Sequence, residues 1–201
     1  MSKLRWIVIL LVLLGLQPAW AIQAPQKLVK ETSDRVLEKV TSRKDELNES
    51  PGKIVALVND IVVPKFDFAR MSRLVLGKYW RRASKDQKED FIEQFRTLLV
   101  RTYAIALLNY SGQAIVYLPM HEHEDATEVT VNTEVRDEGA PPIPINYRLH
   151  MNEGGWQVYD VVIDNISLVS NYRTGFSNQI RRKGLNNLIA QLKKKNKKSI
   201  E

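Results

Sequence analysis

The chain predicts an α+β fold: helices first, then an antiparallel meander of four strands, then two more helices. Three observations carry this reading. From Phe91 through Phe95, Leu98, Leu99, Tyr103, Ala106, Leu107 and Tyr110, apolar residues recur at three- and four-residue steps, the period of one helix face. From Ala114 to Ile163 the apolar period falls to two, with turn residues between the runs. Helices and strands come in blocks and do not alternate, so a parallel βαβ sheet is not expected.

The first 21 residues read as a leader. Lys3 and Arg5 form a positive start, Trp6 to Leu16 an apolar run too short to span a bilayer, and Ala19-Trp20-Ala21 a small-x-small cleavage site. The expected organisation is a signal peptide over 1–21 cleaved after Ala21, one domain over 22–192 and a basic tail over 193–201. No later apolar run is long enough to cross a membrane. Gln26 to Leu47 is helical and strongly charged, with Leu28, Val29, Val36, Leu37, Val40 and Leu47 on a thin apolar face. Ser50-Pro51 reads as an N-cap with proline at the first helical position of a short helix, Gly52 to Ile61, broken at Pro64. Asp67 to Leu76 is a third helix stopped at Gly77. The long helix starts at a capping box, Ser84 with Gln87, and ends at Ser111-Gly112. At 1.5 Å per residue it is on the order of 35–40 Å long, enough to wall an elongated cavity.

The first strand covers Ala114 to Leu118. Glu128 to Arg136 alternates, with Val129, Val131, Thr133 and Val135 on the apolar side. Ile145, Tyr147, Leu149 and Met151 alternate on the next strand, and Trp156 to Ile163 is apolar on both faces, as a central strand is. A helix with Val169, Tyr172, Phe176 and Ile180 follows and stops at Gly184; Leu185, Leu188, Ile189 and Leu192 mark the last helix. A curved sheet wrapped by long helices encloses an apolar interior, although periodicity alone does not separate core from pocket lining.

There is no cysteine, so disulfides, thiolate zinc sites and cysteine nucleophiles are excluded. Stability must come from a core, which the 180 residues after the leader are enough to form. The formal net charge is +7, or +5 without Lys3 and Arg5. Much of it lies in Lys193, Lys194, Lys195, Lys197 and Lys198, a solvated tail or an attraction for anionic lipid or an acidic partner. Nucleic acid is not expected to bind an exported chain. The cluster His121-Glu122-His123-Glu124-Asp125 has metal-binding residue types but no enforced geometry, so no metal is expected. G-x-S-x-G, H-E-x-x-H, P-loop and G-x-G-x-x-G motifs are absent. Asp160, inside an apolar strand, is the one candidate acid/base; alternatively it pairs with an arginine such as Arg173 or accepts backbone donors.

Several segments, taken in order, resemble the MlaC family, also called toluene-tolerance or ABC-transporter auxiliary proteins. They are Asp67-Phe68-Ala69-Arg70-Met71, Leu76-Gly77-Lys78-Tyr79-Trp80, and Phe91 with Phe95, Leu98, Leu99 and Tyr103. Trp156 with Val158, Asp160 and Val161 follows, then Ile166-Ser167-Leu168-Val169, Tyr172-Arg173 with Phe176, and Gly184 with Leu188, Ile189 and Leu192. The resemblance implies an NTF2-like curved four-stranded antiparallel meander sheet, wrapped by about six or seven helices and enclosing a pocket for acyl chains. It implies a monomeric periplasmic carrier that exchanges phospholipid between an outer-membrane lipoprotein complex and an inner-membrane ABC transporter with its substrate-binding subunit, in a system maintaining outer-membrane lipid asymmetry. Phospholipid is then cargo, no cofactor is needed and no catalysis is expected.

The lipid-binding wall expected on this basis has two sides. One comprises Leu74, Leu76, Tyr79, Phe95, Leu98, Leu99, Tyr103 and Leu107; the other Val129, Val131, Tyr147, Leu149, Trp156, Val158, Val161 and Ile163. Val169, Tyr172 and Phe176 are placed at the mouth or floor. The competing readings are an NTF2-like enzyme using Asp160 as acid/base and an adaptor that binds peptide in place of lipid.

Overall fold

A computed structural model describes residues 24–120 and 125–198. The leader expected over 1–21 and the residues His121 to Glu124 lie outside the described residues. The chain is α+β, as expected, with seven α-helices among the described residues. They are α1 (Pro25–Ser42), α2 (Lys44–Glu49), α3 (Pro51–Ile61), α4 (Phe68–Leu76), α5 (Lys85–Leu108), α6 (Leu168–Lys183) and α7 (Leu185–Lys198). Two 3₁₀ segments, Val63–Lys65 and Gly77–Arg82, flank α4.

The sheet is an antiparallel meander in the order β1 to β5: β1 (Ala114–Tyr117), β2 (Glu128–Arg136), β3 (Ile143–Asn152), β4 (Gly155–Ile163) and β5 (Ile166–Ser167). Four strands were expected; the fifth has two residues, too few to show a period. It folds back on β4 through Asp164 and Asn165, both at positive φ (48° and 64°), as a two-residue hairpin turn requires.

Local chemistry explains most boundaries. In α5, Ser84 Oγ accepts from the Gln87 amide at 3.2 Å and Gln87 Oε1 from the Ser84 amide at 2.9 Å, so two orphan donors are satisfied at once. Asp67 Oδ1 caps α4 through the Arg70 amide at 2.8 Å. Gly77 ends it at φ +52°, where a Cβ would lie 3.2 Å from the Arg173 guanidinium. Ser50 sits at the N-cap of α3 but makes no side-chain cap bond. The single helix expected from Gln26 to Leu47 turns at Arg43 (φ −125°, ψ 25°), which brings Leu47 into full burial in a cluster with Ile54.

A β-bulge sets the face of β4. Arg148 pairs with Asp160 but Leu149 pairs with Val158, so Tyr159 is an extra residue. The phase of the strand flips there, and Trp156, Val158 and Val161 all join the apolar layer on one side of the sheet. Tyr159 packs against the α4 cluster and Asp160 bonds the start of α6.

Candidate functional site: an apolar cavity

The two ends of α5 have different surroundings. Its first half is embedded in a solid helical lobe. Phe91 and Phe95 are stacked at 5.6 Å, and Phe176 and Tyr172 meet them edge-on at 5.9 and 5.2 Å. Both phenylalanines are completely buried, with Leu188, Ile189 and Leu192 of α7 closing the cluster. Its second half faces a cavity of about 600 Å³. One wall is the sheet, with Ile145, Tyr147, Val158, Val161 and Ile163; the others are α1, the end of α3 and α5 itself. Lys65 and Asp137 are the charged residues along this lining.

Exposed lining residues mark the mouth: Asn109 beyond α5, and Asp137, Ala140, Pro141 and Ile143 around the β2–β3 turn. Ile143 keeps 49% of its surface exposed there. The helix α1 lies along the cavity with Leu28, Val29, Val36 and Leu37, and is tied down where Gln26 Nε2 donates to the Leu118 carbonyl at 2.9 Å.

Polar groups on the walls are matched internally. Thr32 Oγ1 donates to the Leu28 carbonyl at 2.7 Å and Thr133 Oγ1 to the Ile145 carbonyl at 2.6 Å, so neither hydroxyl needs a ligand partner. Burial pushes the Tyr103 phenol up to about 12, helped by the neighbouring Tyr172. Burial pushes Tyr147 to about 12 as well, with Tyr117 adding to it. Both stay neutral except in strong base, so these two phenols add no charge to the interior.

Of the nineteen residues expected to contact lipid, the cavity is lined by Leu99, Tyr103, Leu107, Tyr147, Val158, Val161 and Ile163. The other twelve lie outside the lining. Leu76, Phe95, Leu98, Val169 and Phe176 are core residues of the helical lobe, with Leu74, Tyr79 and Tyr172 packed against it. Val131, Leu149 and Trp156, with Val129 beside them, belong to the cluster under the sheet. Sequence reasoning missed α1, α3 and the β2–β3 turn. The signal for α1 was present in the spacing of Leu28, Val29 and Val36, but nothing in a thin apolar stripe on a charged helix distinguishes a cavity wall from a core face.

Asp160 is tied into the frame. Its side chain is 2% exposed; Oδ1 accepts from the Val169 amide at 3.1 Å, and Oδ2 accepts from Ser167 Oγ at 2.6 Å and Arg148 Nη1 at 3.2 Å. The partner is Arg148 of β3, not Arg173, which instead lies over Gly77. With three donors on its oxygens and no place in the cavity lining, it caps α6 and bolts it to β4.

A second polar group also lies outside the lining. Asp67 Oδ2 is 2.9 Å from His150 Nε2, and Arg70 sits 4.4 Å from the Tyr159 ring and bonds Glu128, which also accepts from Tyr159 Oη at 3.0 Å. Burial pushes the Glu128 carboxyl up, but the bonds from Tyr159 and Arg70 outweigh it and hold it below the usual range. These contacts latch α4 onto the sheet. Among the described residues no group of three or more His, Cys, Asp or Glu could hold a metal ion, and no helix is long and apolar enough to cross a membrane.

Comparisons with known proteins match most of the chain. A solved phospholipid-binding protein from Ralstonia solanacearum, in complex with a phospholipid, superposes with a TM-score of 0.81 at 31% identity, covering 89% of this chain and all of that one. The toluene tolerance protein ttg2D of Pseudomonas putida is 28% identical over 178 residues, 87% of this chain and 82% of its own. The intermembrane phospholipid transport system binding protein MlaC of Haemophilus influenzae is 24% identical over 177 residues, covering 87% and 83%. The family model described as MlaC protein matches residues 30–194, and the chain belongs to that family.

Proposed function

We propose that this chain is a periplasmic phospholipid carrier that holds acyl chains in the cavity and leaves the head group at the mouth. The observation that carries this is the cavity itself: about 600 Å³ of nearly uncharged space in a fold shared with a phospholipid-bound relative. Burying methylenes is worth ~0.8 kcal/mol each, so two tails of about 15 methylenes hold ~24 kcal/mol gross against water. Passage from bilayer to apolar cavity is far closer to neutral, so transfer is reversible and its direction is set by the docking partners. The partners this reading calls for are an outer-membrane lipoprotein complex and an inner-membrane ABC transporter with its substrate-binding subunit. It requires export, hence removal of residues 1–21, and no catalytic step.

The nineteen-residue wall is revised within the proposal. Lipid contact is assigned to the seven residues at the cavity and extended to Leu28, Val36 and Leu37 of α1 and Ile143 and Ile145 of β3. The other twelve are assigned to the frame.

Mass spectrometry of an organic extract of the purified protein tests it. Phospholipid of mixed head groups, near one equivalent, is expected. Leu107→Asp, at a half-buried lining position, is expected to fold and lose the lipid. A well-folded wild-type protein that carries none, from cells with a complete envelope, overturns the reading.

A further inference from the structure

Charge is divided between the two halves of the molecule. Residues 68–108 and 168–198, which form α4, α5, α6, α7 and the segment Gly77–Arg82, hold eighteen Lys and Arg against four Asp and Glu. The other described residues, which form α1 to α3 and the sheet, hold ten against sixteen. Neither α6 nor α7 contains a single carboxylate. Within that half, α4 and the end of α5 reach the cavity, through residues such as Phe68 and Leu107, and the rest stands clear of it. The cavity takes no lining residue from 77–82 or from 169–198, and its mouth carries Asp137 with Glu138 beside it.

One part of the basic half combines free cations with aromatics. Lys78, Arg81 and Arg82 flank Tyr79 and Trp80, and Arg181, Arg182 and Lys183 end α6. All six cations are exposed, and among the described residues none is in an ion pair. The two groups are joined by packing: Gly77 lies against Arg173 of α6, and Gln87 at the start of α5 bonds Asn186, just past the α6 terminus, at 2.7 Å. Lys78 and Lys88 sit 5.3 and 5.4 Å from the Tyr79 and Trp80 rings, a tyrosine–tryptophan pair of the kind favoured at membrane interfaces.

We infer that this basic face binds the anionic surface of a lipid leaflet. Its cations are spread over several elements; in the small hollow between α5 and α7, Lys193 is paired with Asp90 and Asp86 stands beside them. A diffuse field of positive charge with interfacial aromatics fits a plane of diffuse negative charge better than a shaped acidic protein. Because these segments supply no lining residue, the leaflet meets a part of the molecule other than the opening. This inference does not depend on the cavity holding lipid.

Flotation of the purified protein, as the cell processes it, with vesicles tests this. Binding is expected to phosphatidylcholine vesicles doped with phosphatidylglycerol and not to phosphatidylcholine alone, and it is expected to vanish at high salt. The variant carrying Lys78→Gln, Arg81→Gln, Arg82→Gln, Arg181→Gln, Arg182→Gln and Lys183→Gln should lose at least ~100-fold in affinity, since each cation near such a surface contributes about fivefold. Two triple variants, one per segment, should each lose part of it and guard against a folding failure of the sixfold one. Arg81→Lys with Arg82→Lys should bind as wild type, because charge and not guanidinium geometry is read. Equal binding to both vesicle types, or a folded sixfold variant that still binds, overturns the proposal. So does binding that Leu107→Asp abolishes, which reports cargo uptake. Binding to polyglutamate without binding to vesicles overturns it in favour of an acidic polypeptide.

Discussion

One apolar stripe runs through both halves of α5, yet the two halves do opposite work. Before Leu99 the stripe meets Phe176, Tyr172 and the α7 leucines in one buried cluster. After Leu99 it meets the inner face of the sheet across open space. The difference lies in what stands opposite. In the first half two helices, α6 and α7, close on it; in the second α1 and α3 hold the sheet at a distance. Packing and hollowness are thus properties of pairs of surfaces, and a stripe on one helix specifies only one member of each pair.

The contrast breaks most readily at its solid end. Phe95→Ala should cost about 3–5 kcal/mol in denaturant unfolding, because a fully buried ring leaves a void that rigid neighbours do not fill. Leu107→Ala should cost under ~1.5 kcal/mol while lowering lipid retention, since its side chain already borders empty space. Equal costs at the two sites would erase the distinction between the halves.

The seam comes next. Asp160→Ala strands the Ser167 hydroxyl and the Val169 amide and should destabilise by roughly 2–3 kcal/mol. Little of that comes from Arg148, whose side chain is 47% exposed. Lipid bound per folded molecule should not change. A variant with full stability and lost function would revive Asp160 as a working acid or base.

Gly77→Ala should cost about 1–2 kcal/mol, from the positive φ and the adjacent Arg173 guanidinium. The smallest effect sharpens the hollow end. Tyr103 and Tyr147 have folded values of about 12 against an ordinary phenol near 10. Because the folded value is raised, the stability they contribute is complete below about pH 10 and declines as pH rises toward 12. In an alkaline titration followed by tyrosinate absorbance, these two should ionise last. If Tyr147 ionises with the exposed tyrosines, bulk water fills the cavity.

Much of the frame was legible in the sequence because its determinants are local. The alternation of Glu128–Arg136 marks β2 to the residue, the Ser84–Gln87 box starts α5, and Gly77 and Gly184 stop their helices. The site was legible only in part. Leu99, Tyr103 and Leu107 follow from the α5 stripe, but Phe95 and Leu98 share that stripe and lie in solid core. The inward residues of β4 depend on the bulge at Tyr159, a tertiary feature with no compositional mark. Arg148 was overlooked as the partner of Asp160 because cross-strand register, not nearness in sequence, brings them together.

The double duty of α5 has a consequence for how such a sequence can drift. Substitutions before Leu99 must be answered by compensating changes in α6 or α7, since volume there is conserved between touching side chains. After it Val100 and Ala104 still answer to α3, but Tyr103, Ala106 and Leu107 border the cavity and are judged by whatever fills it. Along a lineage the helix should therefore evolve at two tempos, slow and paired in its first four turns, freer at the cavity-facing positions of its last three.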